Sequence, residues 1–280
     1  MIGADNQQET LPCCPYYFTG FCCGEISVCL LRLSNRKSKK GGVYYTPDIT
    51  ISNADLVLLR EVNREIADNY GVISKIKGGF NLSIRGKAKV KIALAFFDKY
   101  PPIVGDLVLS RLLLIRKALE ILESQKTHTR SPNMQKQLDR IRQKLSDIKK
   151  TAVPIRNFTQ VNFNPNAIGY FLSGLLDAEG SVGFKSNGTG KQPFIAVAMK
   201  DVKIVELFKM FLKVGHIHER PKEKMLHFEI GARNDVLKIL NVLLNIYPSK
   251  LRKVIRRMRQ VKWILNDYTL GSRYKFGKMI

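Results

Sequence analysis

Hydrophobic and polar positions fall into the same order of patterns twice along the chain. After Asp55, the residues Leu59, Val62 and Ile66 recur at helical spacing, and after Asp201 so do Val205, Phe208 and Leu212. Each stretch opens on an aspartate suited to capping and closes before a glycine, Gly71 or Gly215. Alternation follows: Phe80, Leu82 and Ile84 against Asn81, Ser83 and Arg85, then in the second copy Leu226, Phe228 and Ile230 against His227 and Glu229. Period-two alternation predicts half-buried strands. An apolar helix in each copy then stops at Tyr-Pro, Val90 to Tyr100-Pro101 and Val236 to Tyr247-Pro248, where proline cannot continue the ladder.

The repeat begins upstream of these elements. Phe18 to Val28 aligns without a gap on Leu172 to Val182, with Gly20/Gly174, Glu25/Glu179, Ser27/Ser181 and Val28/Val182 identical. Each copy reads helix, two strands, helix, two strands, helix. The predicted fold class is α+β, with two pseudo-symmetric αββαββα halves. The expected organisation is an N-terminal half over 1–124 with its motif at 18–26, a basic linker over 125–165, and a C-terminal half over 166–280 with its motif at 172–180. Leu138, Ile141, Leu145 and Ile148 give the linker a helical stripe, which suits either a solvated bridging helix or a strap that tracks phosphate.

Composition then narrows the partners. The 280 residues carry a formal net charge of +24, and 45% are hydrophobic, so the chain can bury a core while its surface demands a polyanion. Nucleic acid comes first and an anionic membrane second. The most apolar stretch, Ile92 to Ile115, is interrupted by Asp98, Lys99, Pro101, Pro102, Asp106 and Arg111, so no spanning helix is expected. Met1 to Leu11 contains Asp5 and Glu9 and no basic residue, which fits neither a secretory signal nor a transit peptide. The protein is expected to act in the compartment where it is made. Cys13, Cys14, Cys22, Cys23 and Cys29 lack zinc-site spacing and read as small buried apolar groups in a reducing compartment.

The motif itself points to chemistry. Gly20 and Gly24, and Gly174 and Ala178, sit four apart, so each helix presents a small face to which another backbone can come close. If the two helices pack through those faces, Glu25 and Glu179 become neighbours at one end of the pair. Two close carboxylates repel unless cations join them, and hard Mg2+ ions bound through oxygen, with phosphate completing the shell, answer that need.

The second copy, Leu172-Ser-Gly-Leu-Leu-Asp-Ala-Glu-Gly180, closely resembles the signature of the LAGLIDADG homing endonucleases, and the two-copy layout resembles their single-chain, monomeric class. The resemblance implies motif helices at the interface and antiparallel sheets forming a saddle over double-stranded DNA. It implies Mg2+-dependent phosphodiester hydrolysis of both strands of a long asymmetric site, with short 3′ overhangs. Glu25 and Glu179 would be the catalytic and metal-binding acids, helped by the carbonyls of Gly24 and Ala178. Lys87 and Arg233 would stand beside them as basic groups, with Arg85, Lys89 and Asn234 as neighbours. Such genes usually lie in group I introns, often in a chloroplast or mitochondrion. The alternative is an intron RNA maturase or a non-cleaving DNA-binding protein of the same fold.

Two departures stand out in the first motif. Cys23 replaces the counterpart of Asp177, and Ile26 that of Gly180, so strain at the end of the first helix and unequal cleavage of the two strands are expected. On the expected DNA face lie Arg32, Arg36, Lys37, Lys39 and Lys40 of the first hairpin, Lys75, Lys77, Arg85 and Lys89 in an acid-free basic run, and Asn53, Lys185, Lys200 and Lys203. The lysines would mostly track phosphate, and Asn81, Ser83, Gln192 and His227 would read bases. The stretch from Lys250 to Lys262 reads as a helix with one packed stripe and a basic back.

Overall fold

A run of glycine-spaced apolar residues opens each half as a helix, and the alternating segments fold onto it as sheet. The computed structural model describes residues 15–35, 42–124, 131–148, 164–187, 190–220 and 225–267. The first half runs α1 (Tyr16–Glu25), β1 (Ile26–Asn35), β2 (Gly42–Asn53), α2 (Leu56–Ala67), β3 (Val72–Ile76), β4 (Gly79–Arg85), α3 (Lys87–Lys99) and α4 (Asp106–Glu123). Then come α5 (Pro132–Ile148) and the second half: α6 (Pro165–Glu179), β5 (Gly180–Asn187), β6 (Gly190–Met199), α7 (Val202–Leu212), β7 (His216–Arg220), β8 (Met225–Ile230), α8 (Arg233–Asn245) and α9 (Arg252–Asn266). The architecture is α+β with two pseudo-symmetric halves, each ending in one more helix than the repeat alone predicts.

Each half holds a four-stranded antiparallel sheet, ordered β1-β2-β4-β3 and β5-β6-β8-β7. Register equates the two: Ile26, Ile51 and Leu82 form a row in the first, and Gly180, Val197 and Phe228 form it in the second. One face of the first sheet buries Val28, Ile49, Ile51, Leu82 and Ile84, and α2 and α3 pack on that sheet. The second buries Val182, Ile195, Val197, Phe228 and Ile230, with α7 and α8 packed on it. Each such side chain taken from water contributes roughly 1.5–3 kcal/mol.

Helix ends follow the sequence with one change. Asp55 caps α2, accepting from the backbone N–H of Val57 at 3.0 Å and Leu58 at 3.2 Å. The left-handed turns that close α2 and α7 fall on Asp68 and Asn69, and on Lys213, ahead of the glycines. Gly71 is required for a different reason, since a Cβ there would strike Asn63 Oδ1 and Leu82 Cδ1 at 2.4 Å.

The stripe of α5 settles that helix's place. Leu138, Ile141 and Leu145 are buried, and α5 packs on α4 and β1 of the first half, leaving Lys136, Arg140, Arg142 and Lys144 exposed. Likewise α9 buries Met258, Val261 and Leu265 and packs on β5 and α8. Among the described residues no helix is long and apolar enough to cross a membrane.

Candidate active site

The two motif helices are apolar on nearly every side, as helices buried all round must be. Tyr17 through Cys23 of α1 are buried, and so is α6 from Ala167 to Asp177 apart from the half-buried Tyr170. They touch backbone to backbone. A Cβ on Gly20 would lie 1.9 Å from the carbonyl oxygen of Phe171, and one on Gly174 would lie 2.0 Å from that of Tyr17. At Gly24 a Cβ would meet Ala178 Cβ at 2.6 Å and Glu179 Cγ at 2.8 Å. The small faces thus meet, and the acid of α6 lies against the small residue of α1.

Glu25 and Glu179 end their helices side by side. Asn53 Nδ2, at the end of β2, donates to Glu25 Oε1 at 3.1 Å. Burial pushes Glu25 up to about 7, the Asn53 hydrogen bond pulls the other way, and the nearby charge of Glu179 adds to the rise. Burial also raises Glu179. Two acids held where ionisation is costly are poised to take up a cation.

The donor set suits a hard ion. The N–H of Ile26 bonds to the Cys22 carbonyl and that of Gly180 to the Leu176 carbonyl, so the carbonyls of Gly24 and Ala178 have no helical partner. Two carboxylates and two such carbonyls are oxygen donors, as Mg2+ requires, with water and phosphate left to complete its shell. Among the described residues, no group of three or more His, Cys, Asp or Glu gathers that could hold a metal ion by side chains alone.

Each acid lines its own cleft. That of Glu25 is walled by Asn53, the start of α2, Phe80, and Leu251, Arg252, Lys253 and Arg256 at the start of α9. That of Glu179 lies over the second sheet, with Ser181, Lys185, Phe194, Ala196, Ala198, His227 and Glu229. His227, expected to read bases, is buried in the floor of this cleft, and so is its alternating neighbour Glu229. The Lys185 ammonium pairs with Glu229, and the His218 ring stacks on His227 at 5.3 Å.

The structure explains both departures in the first motif. Asp177 is buried and accepts from Tyr17 Oη at 2.5 Å, Lys250 N at 2.8 Å, Leu251 N at 2.9 Å and the Ser249 hydroxyl. Burial raises its pKa while these four donors oppose the rise. Asp177 therefore clasps α6 to α1 and to the entry of α9. In the first half the corresponding entry to α4 is Pro101-Pro102-Ile103-Val104, where Pro102 stands in the place of Ser249 and offers no hydroxyl. Cys23 is buried at that place, and its thiol is pushed up by burial with a further contribution from Asp201. The carboxylate that reaches α4 comes instead from the second half: Asp201 Oδ2 accepts from Leu107 N at 3.4 Å and makes no side-chain cap on its own helix α7.

The expected strain at Ile26 is not there. Ile26 has φ −74° and Gly180 φ −84°, both extended, so neither position demands a left-handed backbone. A Cβ on Gly180 would meet the Leu176 carbonyl oxygen at 2.4 Å, which accounts for that glycine by space alone.

The basic residues are placed differently from expectation. Lys87 opens α3 and Arg233 opens α8, the helices packed on the apolar faces of the sheets, and neither lines the cleft of an acid. Arg233 donates to the Leu265 carbonyl of α9. The cations beside Glu25 come instead from α9, whose first turn the sequence showed only as part of a long basic run.

Among the other residues expected on DNA, Arg32 faces Asp139 of α5 at 3.8 Å, and Lys203 pairs with Asp106 of α4 at 3.0 Å. Arg85 is tied to buried Asp48 at 2.8 Å, and Ser83 also donates to Asp48. Asn53 serves Glu25. Lys75, Lys77 and Lys200 are exposed, and Lys89 is half-buried in the first turn of α3. Arg36, Lys37, Lys39 and Lys40 lie outside the described residues, as do Cys13 and Cys14; Cys22, Cys23 and Cys29 form no disulfide among the described residues, the first two buried and Cys29 half-buried.

No protein-family description matches the sequence, and no curated protein matches it. Solved structures do match. The LAGLIDADG homing endonuclease I-GzeII in complex with its DNA target shares 19% identity over 91% of this chain and 90% of its own, with a TM-score of 0.72. I-SmaMI, bound to uncleaved DNA target in the presence of calcium ions, shares 20% over 91% and 92%, with a TM-score of 0.68. The LAGLIDADG meganuclease I-CpaMI, bound to uncleaved DNA, shares 15% over 90% and 92%, with a TM-score of 0.69. The chain has the fold of the LAGLIDADG homing endonucleases, two pseudo-symmetric halves joined at their motif helices.

Proposed function

We propose that this chain is a site-specific DNA endonuclease that hydrolyses both strands of a double-stranded target, with Glu25 and Glu179 as its acids and Mg2+ as its cofactor. The observation that carries the reading is the pair of raised carboxylates, set side by side by glycine-mediated packing of α1 on α6. A net charge of +24 and two sheets with polar residues on one face supply a surface suited to the DNA backbone. Three matched structures of this fold hold DNA, which supports the same partner here.

The residues divide the work as follows. Glu25 and Glu179, with the carbonyls of Gly24 and Ala178, would hold the metal. When bound, Mg2+ lowers the cost of charge on the attacking water and on the departing oxygen. Asn53 fixes one oxygen of Glu25 by donating to it and so orients the carboxylate. In the cut itself a water oxygen bonds to phosphorus as the P–O3′ bond breaks, and the 3′ oxygen leaves with a proton. Two unlike halves on one chain suit a monomer on a long asymmetric site, leaving short 3′ overhangs, and the gene is read as intron-encoded.

Incubating the protein with a randomised duplex library and Mg2+, then sequencing the cut ends, tests this reading. One asymmetric site cut in both strands with short 3′ overhangs is expected. Intact DNA, or cuts scattered without sequence preference, would contradict it.

A further inference from the structure

One carboxylate is buried in the open face of the first sheet, the face proposed to meet DNA. Asp48 is 2% exposed, and on β2 it alternates with Thr50 and Ser52 of that face. Its partners lie on the same face. Ser83 Oγ donates to Oδ1 at 2.9 Å, and Arg85 donates to Oδ2 through Nε at 3.1 Å and Nη2 at 2.8 Å. The fold does not require this group, since register sets Phe194 in the place of Asp48 and Gly231, just after Ile230, in that of Arg85. By itself an acid on a DNA face repels phosphate and costs affinity. Here it holds Arg85. A guanidinium carries five N–H groups in a fixed fork. Asp48 takes two of them, and the other three, two on Nη1 and one on Nη2, have no partner among the described residues. The side chain stays 56% exposed on β4, an inner strand of the sheet. Arg85 is thus fixed in advance, with a free pair of donors at the end of its fork.

Such a pair matches O6 and N7 of guanine, the two acceptors that this base turns to the major groove, which a two-stranded β-ribbon can enter. Ordering a long side chain before binding removes part of the entropy that recognition otherwise costs. A phosphate suits the place less well: it lies on the groove wall rather than opposite an inner strand, and the Asp48 carboxylate repels it. We propose that Arg85 reads one guanine in the half-site under the first sheet, and that Asp48, its other oxygen fixed by Ser83, is the positioning residue. The inference rests on the duplex-binding part of the reading above and not on cleavage. Phe80 pairs with Asn53, which holds Glu25, and Arg85 is about 17 Å farther along β4. At about 3.4 Å per step, the guanine lies within roughly five base pairs of the point facing Glu25. Neither group recurs at the equivalent positions of the second half, so the contact is one-sided and helps orient the protein on an asymmetric site.

The test selects bound duplexes from a randomised library with full-length protein in metal-free buffer, so that it reads binding alone. Wild type is expected to prefer guanine at one position of the first half-site by about tenfold or more. Arg85→Ala should lower that preference to within about twofold and leave the preferences elsewhere in the site unchanged. Placing 7-deazaguanine there, which replaces the N7 acceptor by C–H, should weaken wild type about fivefold and leave Arg85→Ala unaffected. Arg85→Lys keeps the charge without the fork, and should lose the preference while holding most of the affinity. Asp48→Asn should erode the preference at this same position only, a change that a merely structural role would not single out. Should that variant fail to fold, Ser83→Ala carries the same expectation at smaller size. Affinity lost evenly over all sequences in Arg85→Ala, with the log–log salt slope falling by about 0.9, would mark a phosphate contact and overturn the inference. So would wild-type binding that 7-deazaguanine does not weaken, or a library bound without preference. A consensus that wild type binds but never cuts with Mg2+ leaves the guanine contact standing and removes only the nuclease reading.

Discussion

The open faces of the two sheets occupy equivalent positions and carry different chemistry. Reading along matching registers, the first half presents Ser27, Thr50, Ser52, Asn81 and Ser83, where the second presents Ser181, Ala196, Ala198, His227 and Glu229. The motif helices behind them hardly differ where they meet, since Gly20 and Gly174 each touch a backbone carbonyl of the other helix. The difference separates two kinds of constraint. Backbone packing of α1 on α6 admits no side chain in either copy, so both copies keep glycine there. A face that meets an asymmetric partner has no reason to stay symmetric, and it does not.

Violating the shared packing of α1 on α6 should have the largest effect. Gly20→Leu or Gly174→Leu should abolish soluble folded protein, because the side chain would have to displace helix backbone rather than a mobile group. Gly190→Ala, at an exposed hairpin position where the nearest atom is 3.6 Å from a built Cβ, should behave as wild type in expression and circular dichroism.

Next in size is the clasp. Asp177→Ala strands four donors and should cost about 3 kcal/mol in denaturant unfolding. Cys23→Ala, at the equivalent place, removes only a buried sulfur and should cost about 1 kcal/mol. Equal losses at the two positions would show that Cys23 retains a polar duty.

Ionisation of Glu25 gives the next effect in size. The unfolded chain ionises Glu25 near 4.5 and the folded protein near 7, so between these values the folded state holds the extra proton. Its contribution therefore makes stability fall as pH rises across that window in metal-free buffer. Glu25→Gln should flatten this part of the pH profile and be more stable than wild type at pH 8, as thermal melting would show. Added Mg2+ should favour the ionised wild type and reverse the ranking.

The smallest expected effect concerns base recognition. Phe194, Ala196 and Ala198 give the second face apolar groups suited to thymine methyls, while the first face offers hydroxyls and an amide. Replacing thymine by uracil under the second half should weaken binding a few-fold, and the same change under the first half should matter less.

Much of this was legible in the sequence because it rests on local periodicity. The αββαββα order, the half-buried strands of Leu82 and Phe228 and the Tyr-Pro stops all follow from residues close together in the chain. The spacing of Gly20 with Gly24 and Gly174 with Ala178 predicted the helix pair and hence the adjacency of Glu25 and Glu179. Long-range pairing was less visible. Arg233, expected beside the acids, turns to Leu265, and Arg32 and Lys203, expected on DNA, turn to Asp139 and Asp106, partners far away in the chain. Arg252, Lys253 and Arg256 are hidden for the converse reason: they lie in a long basic stretch, and only the fold puts the first turn of α9 on the wall of the Glu25 cleft. In the sequence Asp177 is only a letter of the motif; its four partners, one from α1 and three from the entry to α9, identify it as a clasp.

Glu25 and Glu179 are proposed to form one cutting centre between two unlike halves. The most direct test compares wild type, Glu25→Gln and Glu179→Gln on the selected target, measuring strand-resolved cleavage with Mg2+ and binding without it. Both variants should bind within about threefold of wild type, because glutamine preserves shape, while each loses cleavage by about a thousandfold. Either variant cutting both strands at the wild-type rate would contradict the account.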